Sequence, residues 1–157
     1  MKKITPASLS EIQQVTSWVT SEEDCRLWAG PKLAFPINFK TLPVEMDIED
    51  SDSYALYDGD DLAGFGQLKR KGKERVHLAR IIISPEHRKK GLGRILVGQL
   101  LEKGRQKGCI RASLNVYKGN RAAHWLYASL GFEILERPNS DQALNGSHYM
   151  ECRLISK

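Results

Sequence analysis

Apolar residues along this chain fall into two periodicities, one in each half. Near the start, Leu9, Ile12, Val15 and Val19 recur at helical spacing after Thr5-Pro6-Ala7-Ser8, which reads as a helix start and predicts a helix to about residue 19. A second short helix is expected after Ser21, its first turn carrying Glu22, Glu23 and Asp24 where the helix dipole favours acids. Residues 29–53, with Gly30-Pro31, Pro36 and Pro43, read as loop with room for one short helix.

From Tyr54 the pattern becomes that of strands. Tyr54–Tyr57 and Leu62–Lys69 flank the turn Asp58-Gly59-Asp60-Asp61 and predict a hairpin. After the turn at Arg70, Gly72 and Lys73, Val76–Ile83 predicts a third strand whose end, Ile81-Ile82-Ile83, is apolar on both faces as a buried central strand requires. Leu92, Ile95, Leu96 and Leu100 then mark a long amphipathic helix running to Gly104 and Gly108. Ile110–Val116 reads as a strand, so strand, helix and strand imply a parallel crossover. A helix over Asn120–Leu130 closed by Gly131, and two antiparallel strands at Phe132–Leu135 and His148–Leu154, complete a mixed α/β sheet with helices on both faces.

A chain of 157 residues with 41% hydrophobic and 27% charged positions fits one soluble globular domain over residues 1–157. Polar residues follow Met1-Lys2-Lys3, and no apolar run is long enough to span a bilayer, so a cytoplasmic protein with no membrane partner is expected. Cys25, Cys109 and Cys152 lack disulfide or zinc spacing, and Cys109 is expected to be buried. Residues 1–61 carry 5 Lys/Arg against 12 Asp/Glu, whereas residues 62–157 carry 19 against 7. Two ligands of opposite sign suit that asymmetry, and the acidic half disfavours long nucleic acid.

The segment Arg88-Lys89-Lys90-Gly91-Leu92-Gly93-Arg94 lies between strand and helix, where two glycines and free first-turn amides form an anion cradle beside four cations. No third glycine of a dinucleotide fingerprint follows, and no G-x-x-x-x-G-K-[S/T] occurs. Arg88-x-x-Gly91-x-Gly93, after Ser84-Pro85-Glu86-His87, resembles the [Q/R]-x-x-G-x-[G/A] signature of the GNAT superfamily of N-acetyltransferases. The following block also resembles that family: Leu114-Asn115-Val116, then Asn120-x-x-Ala123-x-x-x-Tyr127-x-x-x-Gly131-Phe132. The likeness runs from about Tyr54 to the C terminus.

The resemblance implies a mixed, mostly antiparallel twisted sheet with a central splayed parallel strand pair, and acetyl-CoA as cosubstrate. It implies that the pantetheine arm lies along Ile81, Ile82 and Ile83. The amides of Lys89, Lys90, Gly91, Leu92, Gly93 and Arg94, beside Arg88, would hold the pyrophosphate, and Asn120, Ala123 and Tyr127 would face the sulfur. It also implies direct transfer of acetyl to a primary amine of a small molecule or peptide. A phenol of pKa about 10 can return a proton to a thiolate near 8.5, the role the resemblance assigns to Tyr127. A backbone amide near Ile83 is the expected donor to the developing oxyanion. His77 stands eleven positions before Arg88, where histone-acetylating members carry a glutamate. The residues leave His77 open as that base or as a solvent-facing strand histidine, with Glu74 and Glu45 as weaker substitutes.

His87 and His124 read as surface residues without chemistry. The acids Glu45, Asp47, Glu49, Asp50 and Asp52 suggest attraction of a cationic amine. Trp28-Ala29-Gly30-Pro31 and Phe35-Pro36 either wall the acceptor or pack the loop on the core. Competing readings are a basic nucleic-acid-binding module and a non-catalytic acyl-CoA sensor. Whether the chain is a monomer or a homodimer stays open.

Overall fold

The computed structural model describes residues 2–154. Seven strands form one sheet: β1 (Lys2–Pro6), β2 (Asp52–Asp58), β3 (Asp61–Lys71), β4 (Arg75–Ile83), β5 (Arg111–Tyr117), β6 (Glu133–Leu135) and β7 (Ser147–Arg153). Their spatial order is β1-β2-β3-β4-β5-β7-β6, and every neighbouring pair is antiparallel except β4 with β5. The helices are α1 (Leu9–Thr16), α2 (Glu22–Ala29), α3 (Leu42–Glu45), α4 (Leu92–Gln106) and α5 (Arg121–Ser129). Among the described residues no helix is long and apolar enough to cross a membrane.

The sheet separates two apolar clusters. On one face Val97, Leu100 and Leu101 of α4 pack with Leu56, Leu68, Val76 and Leu78. Gly104 allows close approach here, since a Cβ on it would stand 2.9 Å from Val76 Cγ1 and 3.1 Å from Leu154 Cδ1. On the other face Ile12 and Val15 of α1, Cys25 of α2 and Leu42 of α3 cover Phe65, Ala55 and Ile82.

The N terminus corrects the sequence reading. Thr5 and Pro6, read as a helix start, belong to strand β1, and the helix begins after Ser8, whose side chain accepts from the Glu11 amide at 3.1 Å. Ile4 is the one buried residue of β1, so no alternation betrays it, and Pro6 is tolerated because β1 is a sheet edge. Leu9, counted in the apolar stripe, is 47% exposed. The expected helix after Ser21, the hairpin at Asp58–Asp61, the β4-α4-β5 crossover and the closing antiparallel pair are all present.

Candidate active site

β4 and β5 pair only at Arg75 with Arg111, Val76 with Ala112 and His77 with Ser113. Beyond that point β4 stays with β3 up to Ile83 and β5 stays with β7 up to Tyr117, so a wedge opens between them. The register of β4 on β3 shifts between Phe65 and Gln67, and Arg80 takes a left-handed conformation, φ 52. That bulge redirects the strand end. Ile82 goes to the α1–α3 face, Ile81 lines the wedge, and Ile83 is half-buried with its carbonyl accepting from Arg88 Nε at 3.0 Å. The three isoleucines are therefore not uniformly buried, because β5 has left their edge.

The loop after β4 makes a 3-10 turn, Pro85–His87, and reaches α4 through Lys89, φ 65, and Gly91, φ 79. Gly91 is the N-cap of α4; no side chain caps the helix and its first turn has no acid. The first-turn amides thus point out of an exposed loop beside the cations of Arg88, Lys89 and Lys90, an arrangement suited to an anion. A Cβ on Gly93 would stand 3.4 Å from Leu126 Cδ2, and Arg94 donates to Ser129 Oγ at 2.6 Å. The C-terminal half of α5 therefore abuts the loop, while its start enters the wedge.

A cavity of about 300 Å³ fills the wedge. Asn120, Ala123 and Tyr127 form its α5 wall, Leu114–Tyr117 its β5 wall, and His77–Ile81 its β4 wall. Residues 27–32 and 141–144 close it from either side. The structure brings His77, Ile81, Asn120, Ala123 and Tyr127 to this one cavity, whereas Arg88–Arg94 stand outside it across α5. Asn120 caps α5, its side chain accepting from the Ala123 amide at 3.1 Å.

Tyr127 is 8% exposed, with its ring edge-to-face on Phe132 at 5.8 Å, and burial pushes its phenol up to about 12. His77 is half-buried against the cavity rather than facing solvent. Its Nδ1 lies 2.8 Å from Ser113 Oγ and its Nε2 lies 3.5 Å from Asn115 Nδ2. Arg137 donates twice to Asn115 Oδ1, at 3.2 and 2.7 Å, which turns the Asn115 amide donor toward Nε2. We accordingly assign the neutral tautomer with the proton on Nδ1, donated to Ser113 Oγ, and the lone pair on Nε2. Burial lowers its pKa to about 4; Asp141 opposes this, while Arg75, Lys71 and Arg137 reinforce it.

Other expectations need correction. His87 is buried, with Nε2 3.6 Å from Asp61 and no partner for Nδ1, and His124 is half-buried with its ring 5.2 Å from His148. The acidic segment does not gather at the cavity. Asp47 alone of its five acids lines it and pairs with Lys69, while Asp52 pairs with Lys107. Trp28 to Lys32 do wall the cavity, with Trp28 Nε1 donating to the Arg80 carbonyl at 2.8 Å, whereas Phe35 packs on the α1–α3 core. Cys109 is buried as expected.

The sequence does not single out Arg80, Lys71 or Asp141. Arg80 had a readable signal, as the one charge in Leu78-Ala79-Arg80-Ile81-Ile82-Ile83. Asp141 had none, because its partner Arg75 is distant in sequence; the two form a buried bidentate pair at 2.6 and 3.1 Å, their side chains 7% and 5% exposed.

Comparison with known proteins agrees with this geometry. A mycothiol acetyltransferase of Corynebacterium efficiens is 34% identical over 136 residues, covering 86% of this chain and 45% of that protein. The chain thus spans under half the length of that relative. Among solved structures, the ribosomal-protein-S18-alanine N-acetyltransferase of Escherichia coli superposes with TM-score 0.73 at 23% identity, covering 100% of this chain and 96% of the other. The spermidine N-acetyltransferase of Vibrio cholerae, in complex with CoA and spermine, gives 0.77 at 18% identity, covering 98% and 95%. Both share the fold. The model of the acetyltransferase (GNAT) family matches residues 15–132, and with most of the chain so matched, this protein belongs to that family of acetyl-CoA-dependent acetyltransferases.

Proposed function

We propose that the chain transfers the acetyl group of acetyl-CoA directly to a primary amine within a ternary complex. One observation carries this reading: a single cavity joins the unpaired edge of β4 and the Tyr127 wall to the segment of residues 27–32. The open, positively flanked amides at the start of α4 suit a pyrophosphate, so Arg88, Lys89, Lys90, Gly91, Leu92, Gly93 and Arg94 would hold that part of the cosubstrate. The edge of β4 over Ile81–Ile83 would align the pantetheine arm, with a backbone amide there donating to the developing oxyanion. When bound, acetyl-CoA supplies a thioester carbonyl open to attack by an amine.

Tyr127, on the α5 wall of the cavity, would hold a proton at its Oη for the leaving sulfur. His77, neutral throughout the physiological range, would exchange the long 3.5 Å contact of its Nε2 lone pair with Asn115 Nδ2 for an acceptor N–H, and so orient the amine. A base whose conjugate acid has a pKa of about 4 is too weak to remove a proton from an alkylammonium near 10. The amine is therefore expected to lose its proton to water, and His77 is a positioning acceptor rather than a strong base.

A thermal melt with acetyl-CoA, using ATP and NAD as controls, tests the donor half of this reading. At one hundred times the dissociation constant the ligand adds about 2.7 kcal/mol, roughly 5–11 °C for this size. A panel of amines with detection of released thiol tests the acceptor half. A shift absent with acetyl-CoA, or equal with ATP, overturns the reading.

A further inference from the structure

The acceptor end of the cavity is cationic. Its lining carries Lys32, Lys69, Lys71 and Arg80 against Asp47 and Asp141. Asp141 is already committed to the buried guanidinium of Arg75, and Asp47 to Lys69. Among the described residues no ion pair neutralises Lys32, Lys71 or Arg80.

Arg80 is the pivot. Its backbone is held left-handed at the bulge, and its Nη1 and Nη2 donate to neutral oxygens: Gln67 Oε1 at 2.9 Å and the carbonyls of Met46 and Glu45 at 3.4 and 3.3 Å. Its Nε is buried without a partner. A guanidinium partly withdrawn from water and met only by neutral acceptors is costly unless a counter-charge arrives. Asp47 is the one carboxylate whose field reaches it, and Lys69 and Lys32 press on that same carboxylate. Three cations thus surround one acid on this wall, and Lys71 adds a fourth beside Asp141.

We infer that the acceptor is an amine that also carries a carboxylate, held at the wall formed by Arg80, Lys71 and Lys32, and that polycationic amines are disfavoured. This deepens the proposed acetyl transfer and rests on it. The same field serves the chemistry, because surrounding cations disfavour an ammonium and so populate the neutral amine that attacks. That removes the need for a dedicated base, which the cavity lacks. Of the acidic segment that suggested a cationic acceptor, only Asp47 reaches this wall, and it is paired with Lys69.

The test pairs each of a panel of L-amino acids with its carboxamide and measures kcat/KM with acetyl-CoA in wild type, Arg80→Gln and Lys71→Gln. Comparing the acid-to-amide ratio between proteins cancels the different basicities of the two amines. Loss of a charge-assisted contact is expected to lower that ratio roughly tenfold in Arg80→Gln, which removes a guanidinium fixed by neutral acceptors, and several-fold in Lys71→Gln. In parallel, the Arg80 Nε–H resonance is followed as the same pairs are titrated into protein free of acetyl-CoA. Acids should shift it and amides should not, whether or not transfer occurs. The inference is overturned if the ratio holds in both variants and no acid shifts the resonance. It is equally overturned if spermidine exceeds every amino acid in kcat/KM, or if the variants weaken acetyl-CoA binding at an unchanged ratio. Shifted resonances with no thiol released by any amine would instead sink the transfer reading.

Discussion

Replacing Tyr127 with Phe separates chemistry from folding. Burial alone accounts for the raised phenol pKa, with no side-chain partner contributing, so removing the hydroxyl breaks no hydrogen bond that holds the core. The ring keeps its contact with Phe132. Stability should therefore change by under about 0.5 kcal/mol, or within about 2 °C in Tm. A phenol near 12 facing a thiol near 8.5 is about 3.5 units uphill for full proton transfer, close to 5 kcal/mol. The proton can move only as the amine sheds its own. General-acid assistance of this kind commonly contributes about 10²–10⁴-fold, and the mismatch places Tyr127 near the lower end, about a hundredfold in kcat. Thiol release under saturating acetyl-CoA measures that loss, and the melt shift with acetyl-CoA should be unchanged. A variant with unchanged Tm and unchanged kcat would refute the role, and would also revive the reading of a non-catalytic acyl-CoA sensor.

Other measurements probe the frame around the cavity. Between pH 6.5 and 4 the unfolded chain takes up a proton that folded His77 refuses, so stability should fall with pH by up to about 3 kcal/mol, and His77→Gln should flatten that slope in melts across the range. The Asp141 carboxyl, held below its ordinary value with Arg75 as partner, loses its contribution only at still lower pH, which keeps the two effects apart. For the same reason the kcat/KM profile should lack an inflection near 6.5; one that disappears in His77→Gln would contradict the lowered pKa. Asp141→Asn should cost about 3–5 kcal/mol by stranding the buried Arg75 charge, read as a Tm drop of roughly 6–20 °C. Gly91→Ala forces a side chain into φ 79, at about 1–2 kcal/mol, and should shrink the acetyl-CoA melt shift more than the Tm of the free protein.

The parts of the site that were readable are those encoded at short range. Two glycines at a helix start, and Asn120, Ala123 and Tyr127 at helical spacing, carry their geometry with them: the glycines open α4, and the three others line one cavity. Residues placed by distant partners were not readable. The charge of Asp47 pointed to a cationic ligand until Lys69 folded over it, and His87 read as exposed because nothing local shows the 3-10 turn that tucks it beside Asp61. β1 escaped because an edge strand that buries only Ile4 has no pattern to display. The bulge at Arg80 is the deepest omission. It depends on how β4 leaves its register with β3, a property of the pair rather than of either segment.

The division of the apolar interior by the sheet has a bearing on how this protein can change. Of the residues around the cavity, Ile81, Leu114, Val116, Ala123 and Tyr127 belong to the cluster packed with α4, while Trp28 and Ala29 belong to the cluster of α1, α2 and α3. The α2 and α3 side is tied to β4 at Arg80, whose carbonyl accepts from Trp28 and whose guanidinium donates to the carbonyls of Glu45 and Met46. Drift in residues 27–32 can therefore remodel one side of the cavity without repacking α4, whereas Lys71 and Arg80 are fixed in the sheet itself. New specificities are reachable by small steps through functional intermediates, with Arg80 as the position where the two histories must agree.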